Sequence, residues 1–145
     1  MSCVLRAVGA EFEVDAFLRR SRFSPLKVWR RGDRIGPRTG ADSEGSEKKH
    51  GQSGFAALAS AASFRQPAQQ AADALLFLKR FEPALTLLSE FPGVDAVLLD
   101  FGIEDRPLQS QLGELQTSYF PPELLRLMGK FNIGLVITRY PETAG

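Results

Sequence analysis

The chain has only one cysteine and one histidine, the residues that most often form disulfides or bind metals in small proteins, and one tryptophan among 145 residues. A single cysteine excludes an intramolecular disulfide, and a reducing cytoplasm is the compartment that this predicts. His50 has no cysteine or carboxylate at ligand spacing, whereas a zinc site takes three or four convergent ligands. We therefore expect a solvated loop histidine, with no metal and no other cofactor.

Long apolar runs and nucleotide-binding signatures are also missing. No stretch reaches the length of a membrane span, and the first ten residues lack the basic start and apolar run of a signal peptide. Neither GxGxxG after a strand nor GxxxxGK[ST] occurs, so the specific phosphate-cradling loops are absent. The sequence predicts a cytoplasmic protein that does not enter a membrane.

The overall composition is that of an ordinary globular protein. Hydrophobic residues make up 43% of the chain and charged residues 24%. A chain of this length buries about two thirds of the surface that its unfolded form exposes. We expect a single α+β domain over residues 1–145, interrupted by a mobile Gly-rich loop at 34–53.

Apolar periodicity predicts the order of helices and strands. The helix that starts at residue 68 runs to the turn at Pro92-Gly93, and Pro83 either kinks it or begins a second helix. Gly102 is expected to end the strand that follows. Strands are predicted at 3–8, 26–30, 54–60, 94–101, 115–120 and 133–140, and further helices at 13–21 and 123–130.

This order favours an α+β fold with a mixed or antiparallel sheet and helices packed on one face. The topology that we predict is a ferredoxin-like sandwich. An exposed strand edge in such a sheet is able to pair two copies into a homodimer. The sequence does not indicate which edge is free.

Charge is distributed unevenly although the net charge is only +1. Between residues 17 and 39, eight lysines and arginines stand against one aspartate, so this segment carries 8 − 1 = +7 and the rest carries 1 − 7 = −6. Tryptophan and arginine are the residues most enriched at binding hot spots. We predict a protein-binding surface formed by Trp29, Arg30, Arg31, Asp33, Arg34 and Arg38.

Two alternatives use the same segment. Its arginines and the interleaved Phe17, Phe23 and Trp29 fit single-stranded nucleic acid, in which arginines neutralise phosphates and aromatics stack on bases. The simpler interpretation places Phe17 and Trp29 in the core and pairs the arginines with acidic residues elsewhere in the chain.

Catalysis is the third hypothesis. A small enzyme would use Asp100 and the neighbouring carboxylates Asp95, Glu104 and Asp105, but no histidine or other second partner is identifiable, and an arginine salt bridge equally explains Asp100. Cys3 on a strand is typical of a small buried hydrophobe rather than a nucleophile. We predict no catalytic residue.

Several short motifs carry a family resemblance. They are Glu-Phe-Glu-Val-Asp-Ala-Phe-Leu at 11–18, Pro25, Val-Trp-Arg-Arg-Gly-Asp at 28–33, Ser-Gly-Phe at 53–55 and the closing segment 123–140. Together they resemble a bacterial family catalogued as domain of unknown function 4279. The chain departs from that family at Phe55, where tryptophan is more usual, and in its long Gly-rich loop. The resemblance implies a small bacterial α+β domain, of an interaction or immunity type.

Overall fold

The computed structural model describes residues 2–35, 48–105 and 117–141, which form a five-stranded sheet and four helices. This confirms the predicted α+β fold. The elements in chain order are β1 Cys3–Gly9, α1 Val14–Ser21, β2 Lys27–Trp29, β3 Ser53–Ser60, α2 Pro67–Arg80, α3 Glu82–Ser89, β4 Ala96–Glu104, α4 Pro122–Lys130 and β5 Gly134–Tyr140.

The strand order is β2-β3-β1-β4-β5. Strand β1 is antiparallel to both of its neighbours, β3 and β4, and β2 is antiparallel to β3. The first four strands and their helical connections therefore follow the predicted ferredoxin-like topology. Strand β5 extends that sheet, parallel to β4, after the crossover through α4.

The two faces of the sheet differ because side chains alternate along each strand. On β1, Cys3, Leu5 and Ala7 are fully buried, whereas Val4 and the other even-numbered residues are partly or fully exposed. Buried residues from all four helices join one core cluster with the odd-numbered side chains. In the described ranges the helices thus cover one face, and the opposite face is open.

Phenylalanines fill the core between α1 and the sheet. Phe55 on β3 lies parallel to Phe17 of α1, with ring centroids 5.6 Å apart and planes 2° apart. Phe12 and Phe23, which flank α1, contact the same ring of Phe55 at 6.3 and 5.5 Å. These contacts fix α1 against β3, and the prediction that Phe17 is a core residue is confirmed.

The long apolar helix is divided in two. Helix α2 ends at Arg80, and α3 begins at Glu82 with Pro83 in its first turn. Proline is tolerated there because N–H groups in the first turn of a helix form no hydrogen bond within the helix. Of the two options that the sequence left open, the second is therefore present. Leu78 and Leu88 continue one buried stripe across the break.

Strand β4 starts two residues later than predicted, at Ala96. It also ends later, at Glu104, because Gly102 lies inside the strand instead of ending it. A Cβ on Gly102 would lie 2.6 Å from Cε1 of Phe64, so glycine makes room for an aromatic ring packed across the strand. The expected end of the strand at Gly102 is therefore wrong, since Ile103 and Glu104 also belong to it.

Other boundaries also move. Strand β2 is shorter than the predicted 26–30. The ends of the expected 34–53 loop are paired, since Arg34 and Lys49 form an isolated β-bridge; residues 36–47 lie outside the described part of the chain. Of the strand predicted at 115–120, residues 117–120 are not in a strand, and 115–116 are not described. Among the described residues, no helix combines the length and apolar character needed to cross a bilayer.

Candidate functional site

A groove of about 580 Å³ lies on the open face of the sheet, beside β2. Its floor consists of Val4 and Val8 from β1 and Ala56 from β3. These residues alternate with the buried ones, and Arg6 is directly opposite Ala56 in the β1–β3 register. The groove thus forms on the face of an apolar sheet that the four described helices leave uncovered.

A tight turn positions one wall of the groove. The Asp33 N–H donates to the Arg30 carbonyl at 2.8 Å, and Gly32 adopts φ +90°, which matches the third position of a type II turn. Beyond the turn, the Gly32 N–H donates to the His50 carbonyl, and the His50 N–H donates to the Asp33 carbonyl, each at 2.8 Å. These bonds hold His50 beside the strand that carries Trp29.

The rings of Trp29 and His50 stack, with centroids 5.6 Å apart and planes 22° apart. The prediction of a solvated His50 is therefore wrong, because its ring is half-buried against Trp29. Gly54 provides the seat for the indole: a Cβ there would lie 2.9 Å from Trp29 Cζ2. Trp29 is held between Gly54 and His50 as a preformed wall of the groove.

Two ionised side chains, Arg6 and Lys27, line the groove, and both are cationic. Arg6 Nη1 donates to Asp100 Oδ2 at 2.7 Å, and the Thr138 hydroxyl donates to Asp100 Oδ1 at 2.7 Å. Lys27 is exposed and forms no ion pair with any described residue. The groove therefore combines an apolar floor with a positive charge at its rim, Lys27, that pairs with none of the described carboxylates.

Arg30, the neighbour of Trp29 in the predicted surface, is directed away from the groove. Its Nε and Nη2 donate to the two carboxylate oxygens of Asp15 on α1, at 2.8 and 2.7 Å. This bidentate bond holds the pKa of Asp15 below its ordinary value, and it raises the pKa of Arg30. Arg30 belongs to the helix layer, on the opposite side from the groove.

The other described residues of the predicted surface do not line the groove either. Arg31 Nη1 is 3.4 Å from Glu11 Oε1, and the Asp33 carboxylate accepts the Arg30 backbone N–H at 2.8 Å, which stabilises the turn. Arg34 takes part in the β-bridge at the base of the loop. Arg38 lies outside the described residues. Of the predicted set, the structure places Trp29 in the groove.

The carboxylates proposed as a catalytic cluster each have a partner within the chain. Besides the Arg6–Asp100 pair, Asp95 accepts the Ala10 N–H at 3.0 Å, and Glu104 and Asp105 pair with arginines at 2.9 and 3.7 Å. Asp100 thus has the arginine salt bridge that was the simpler expectation. Its role in the structure is to fix Arg6 at the groove.

Cys3 is fully buried on the helix side of β1. Burial raises the pKa of its thiol, and the negative charges of Asp100 and Asp73 add to this effect. Both favour the protonated and unreactive form, as predicted for a small buried hydrophobe. Within the described ranges, no group of three or more His, Cys, Asp or Glu side chains is placed to hold a metal ion.

The sequence did not single out Arg6, Lys27 or His50 as site residues. Arg6 was identifiable as the one charged residue in the otherwise apolar strand β1, where it alternates with buried residues. Lys27 likewise precedes the less exposed Val28 on β2. His50 carried no such signal, because its contact with Trp29 depends on the hydrogen bonds of the turn.

Comparison of the chain with known protein families, with curated proteins and with solved structures finds no match. The resemblance to domain of unknown function 4279 is neither confirmed nor contradicted by this result. The function is therefore argued from the geometry of the groove.

Proposed function

We propose that the protein is a binding module that takes a segment of a partner protein into the groove beside Trp29. The segment that fits presents an apolar or aromatic side chain next to one or more carboxylates. The observation that carries this proposal is the combination of an apolar floor with cationic Arg6 and Lys27 as the ionised lining residues.

The apolar part of the groove supports a specific contact. Its volume of about 580 Å³ lies within the range of roughly 300–1,000 Å³ typical of ligand sites. Trp29 is already fixed between Gly54 and His50, so little side-chain freedom is lost when a partner covers it. A rigid tryptophan in an apolar recess is the usual composition of an interface hot spot.

The polar part of the groove selects the charge of the partner. Arg6 is oriented by Asp100, which offsets part of its charge, whereas Lys27 has no such partner in the described ranges. An acidic side chain that reaches Lys27 gains an ion pair and long-range attraction, while a basic one is repelled. The groove therefore favours an acidic segment.

Single-stranded nucleic acid fits the geometry less well. Base stacking needs a free aromatic face, whereas the Trp29 ring is already stacked on His50 and its Cζ2 lies beside Gly54. Arg30, which would neutralise a phosphate beside Trp29, is bonded to Asp15 in the helix layer. The aromatic and basic parts of the predicted surface do not form one track.

Selection from a displayed random-peptide library tests the proposal. The bait is the wild-type chain, the Lys27→Glu variant or the matched Arg30→Glu variant, which makes the same charge change outside the groove. We expect wild type and Arg30→Glu to enrich peptides with an apolar or aromatic residue beside Asp or Glu. Lys27→Glu is expected to weaken binding of those peptides at least tenfold, about 1.4 kcal/mol.

Enrichment that is equal in wild type and Lys27→Glu, or no enrichment at all, would contradict the proposal. A parallel titration with a single-stranded oligonucleotide separates the alternative. Oligonucleotide binding that falls steeply with salt and is lost in Arg30→Glu would favour nucleic acid instead.

A further inference from the structure

Strand β5 forms an edge of the sheet that is independent of the groove. It pairs with β4 along its full length of seven residues, Gly134–Tyr140, and no described strand lies on its other side. The opposite edge, β2, has only three residues, carries Lys27 and runs into the hydrogen-bonded turn. The longer edge is therefore the less protected of the two.

The direction of the β5 backbone groups follows from one hydrogen bond. The Asp105 N–H donates to the Tyr140 carbonyl at 2.8 Å, so the backbone of Tyr140 faces β4. Along a strand, alternate residues direct their N–H and C=O groups to the same side. Leu135, Ile137 and Arg139 therefore direct their backbone donors and acceptors away from β4, towards the free edge.

From Gly134 to Thr138 the side chains of β5 do not guard this edge, and Arg139 is the one charged residue of the strand. Between Gly134 and Thr138 there is neither a charged residue nor a proline, which are the usual means of blocking edge pairing. Leu135 and Ile137 are each 44% exposed. They lie on the helix side, in register with the buried Leu99 and Phe101.

We propose that a second copy of this chain pairs with β5 in antiparallel orientation, about a two-fold axis at Ile137. The two sheets then form one continuous sheet of ten strands, with both helix layers on the same side. Ile137 meets its own counterpart, and Leu135 lies opposite Arg139 of the second copy. Each such pair exchanges two backbone hydrogen bonds, so these three pairs supply about six.

The side chains suit this register. Arg139, the charged residue of β5, lies opposite an apolar residue rather than its own symmetry mate, so no like charges meet. On the open face, Val136 lies opposite Thr138 and Gly134 lies opposite Tyr140, whose ring packs on Phe64 of its own chain with centroids 4.9 Å apart. A shift of the pairing register by one residue would place Leu135 and Ile137 of one copy on the opposite face of the sheet from those of the other copy. The apolar pattern therefore favours the register centred on Ile137.

Sedimentation of the full chain over a concentration series tests the proposal. We expect wild type to reach twice the mass of one chain, and Ile137→Lys to remain at the mass of one chain, because two lysines would meet at the axis. Ile137→Pro is also expected to prevent dimerisation. It removes the N–H that Ile137 would donate to the second copy, and that N–H forms no hydrogen bond with β4. The matched control Leu76→Lys changes an exposed leucine on α2 and is expected to retain the dimer.

Hydrogen exchange supplies a second readout at the same residues. The amide protons of Leu135, Ile137 and Arg139 are expected to exchange more slowly in the dimer than in diluted protein. A wild-type chain that sediments as a single copy throughout, or a dimer unchanged by both Ile137 variants, would overturn the proposal. Lys27→Glu leaves the dimer intact in this account, so the outcome is independent of the groove.

Discussion

Trp29 and Arg30 are adjacent in the chain, but their side chains lie on opposite faces of the sheet. Trp29 lines the groove with Arg6, whereas Arg30 reaches across to Asp15 on α1. The strongest electrostatic feature of the sequence is therefore divided between a binding surface and a structural ion pair. Charge reversal at Lys27 and at Arg30 separates these two roles.

The Asp15–Arg30 pair predicts a specific pH dependence. Arg30 lowers the pKa of Asp15, so the stabilisation is fully present above the ordinary pKa of about 3.8 and is lost as pH falls through the lowered value. Both side chains are about half exposed, so solvent screens the pair and its effect on stability is small. NMR titration is expected to show the lowered pKa, and Arg30→Gln to restore the ordinary value. An unchanged Asp15 titration in that variant would show that the pair does not form in solution.

Gly54→Ala is expected to displace Trp29. The added Cβ collides with the Ala7 carbonyl oxygen and lies 2.9 Å from Trp29 Cζ2. Overpacking of this kind costs about 1–3 kcal/mol of unfolding free energy, measured by urea denaturation. Tryptophan emission should shift to the red as the indole becomes exposed. The matched control is Gly51→Ala, where a Cβ meets no atom within 4 Å; an equal loss in both variants would contradict the packing argument.

Phe55→Ala is expected to destabilise the fold by about 3–5 kcal/mol, because it removes a fully buried ring that contacts Phe12, Phe17 and Phe23. Phe55→Leu fills more of the space and should lose less. The midpoint of urea unfolding, with an unchanged slope, measures both. A loss below about 1 kcal/mol for Phe55→Ala would mean that α1 does not dock on β3 as described.

Cys3 is expected to resist thiol reagents in the folded protein. The side chain is fully buried, and its raised pKa keeps it protonated at neutral pH. Labelling with a chromogenic disulfide should be slow in buffer and rapid in denaturant, where the single cysteine of each chain reacts. Rapid labelling of the native protein would contradict the position of β1 in the sheet.

Local patterns were sufficient to predict much of this fold. Apolar periodicity predicted a strand at 3–8 with Cys3 as a buried residue, and Pro83 marked the place where α2 and α3 are divided. The extension of β4 through Gly102 was missed, because it depends on the Phe64 ring packed against that glycine. A glycine that ends a strand and one that admits a ring look the same in sequence.

The site was less accessible to sequence reasoning than the fold. Trp29 was identified as an anchor, but its partner His50 is positioned by the turn at Gly32, and Arg6 is oriented by Asp100, 94 residues away in the chain. Such pairs follow from strand order and register. The alternation of side chains along β2 does indicate that Lys27 and Trp29 share one face of the sheet and that Arg30 lies on the other.

Trp29 is the single tryptophan of the chain, so its fluorescence reports directly on the groove. The decisive measurement is a titration of the wild-type protein with an acidic peptide from the selection, following tryptophan emission, with a peptide in which Asp and Glu are replaced by Asn and Gln as control. The account predicts a saturable change that is at least tenfold weaker with the control peptide and with Lys27→Glu. Emission that does not change while the peptide binds would place the binding site elsewhere and contradict the central claim.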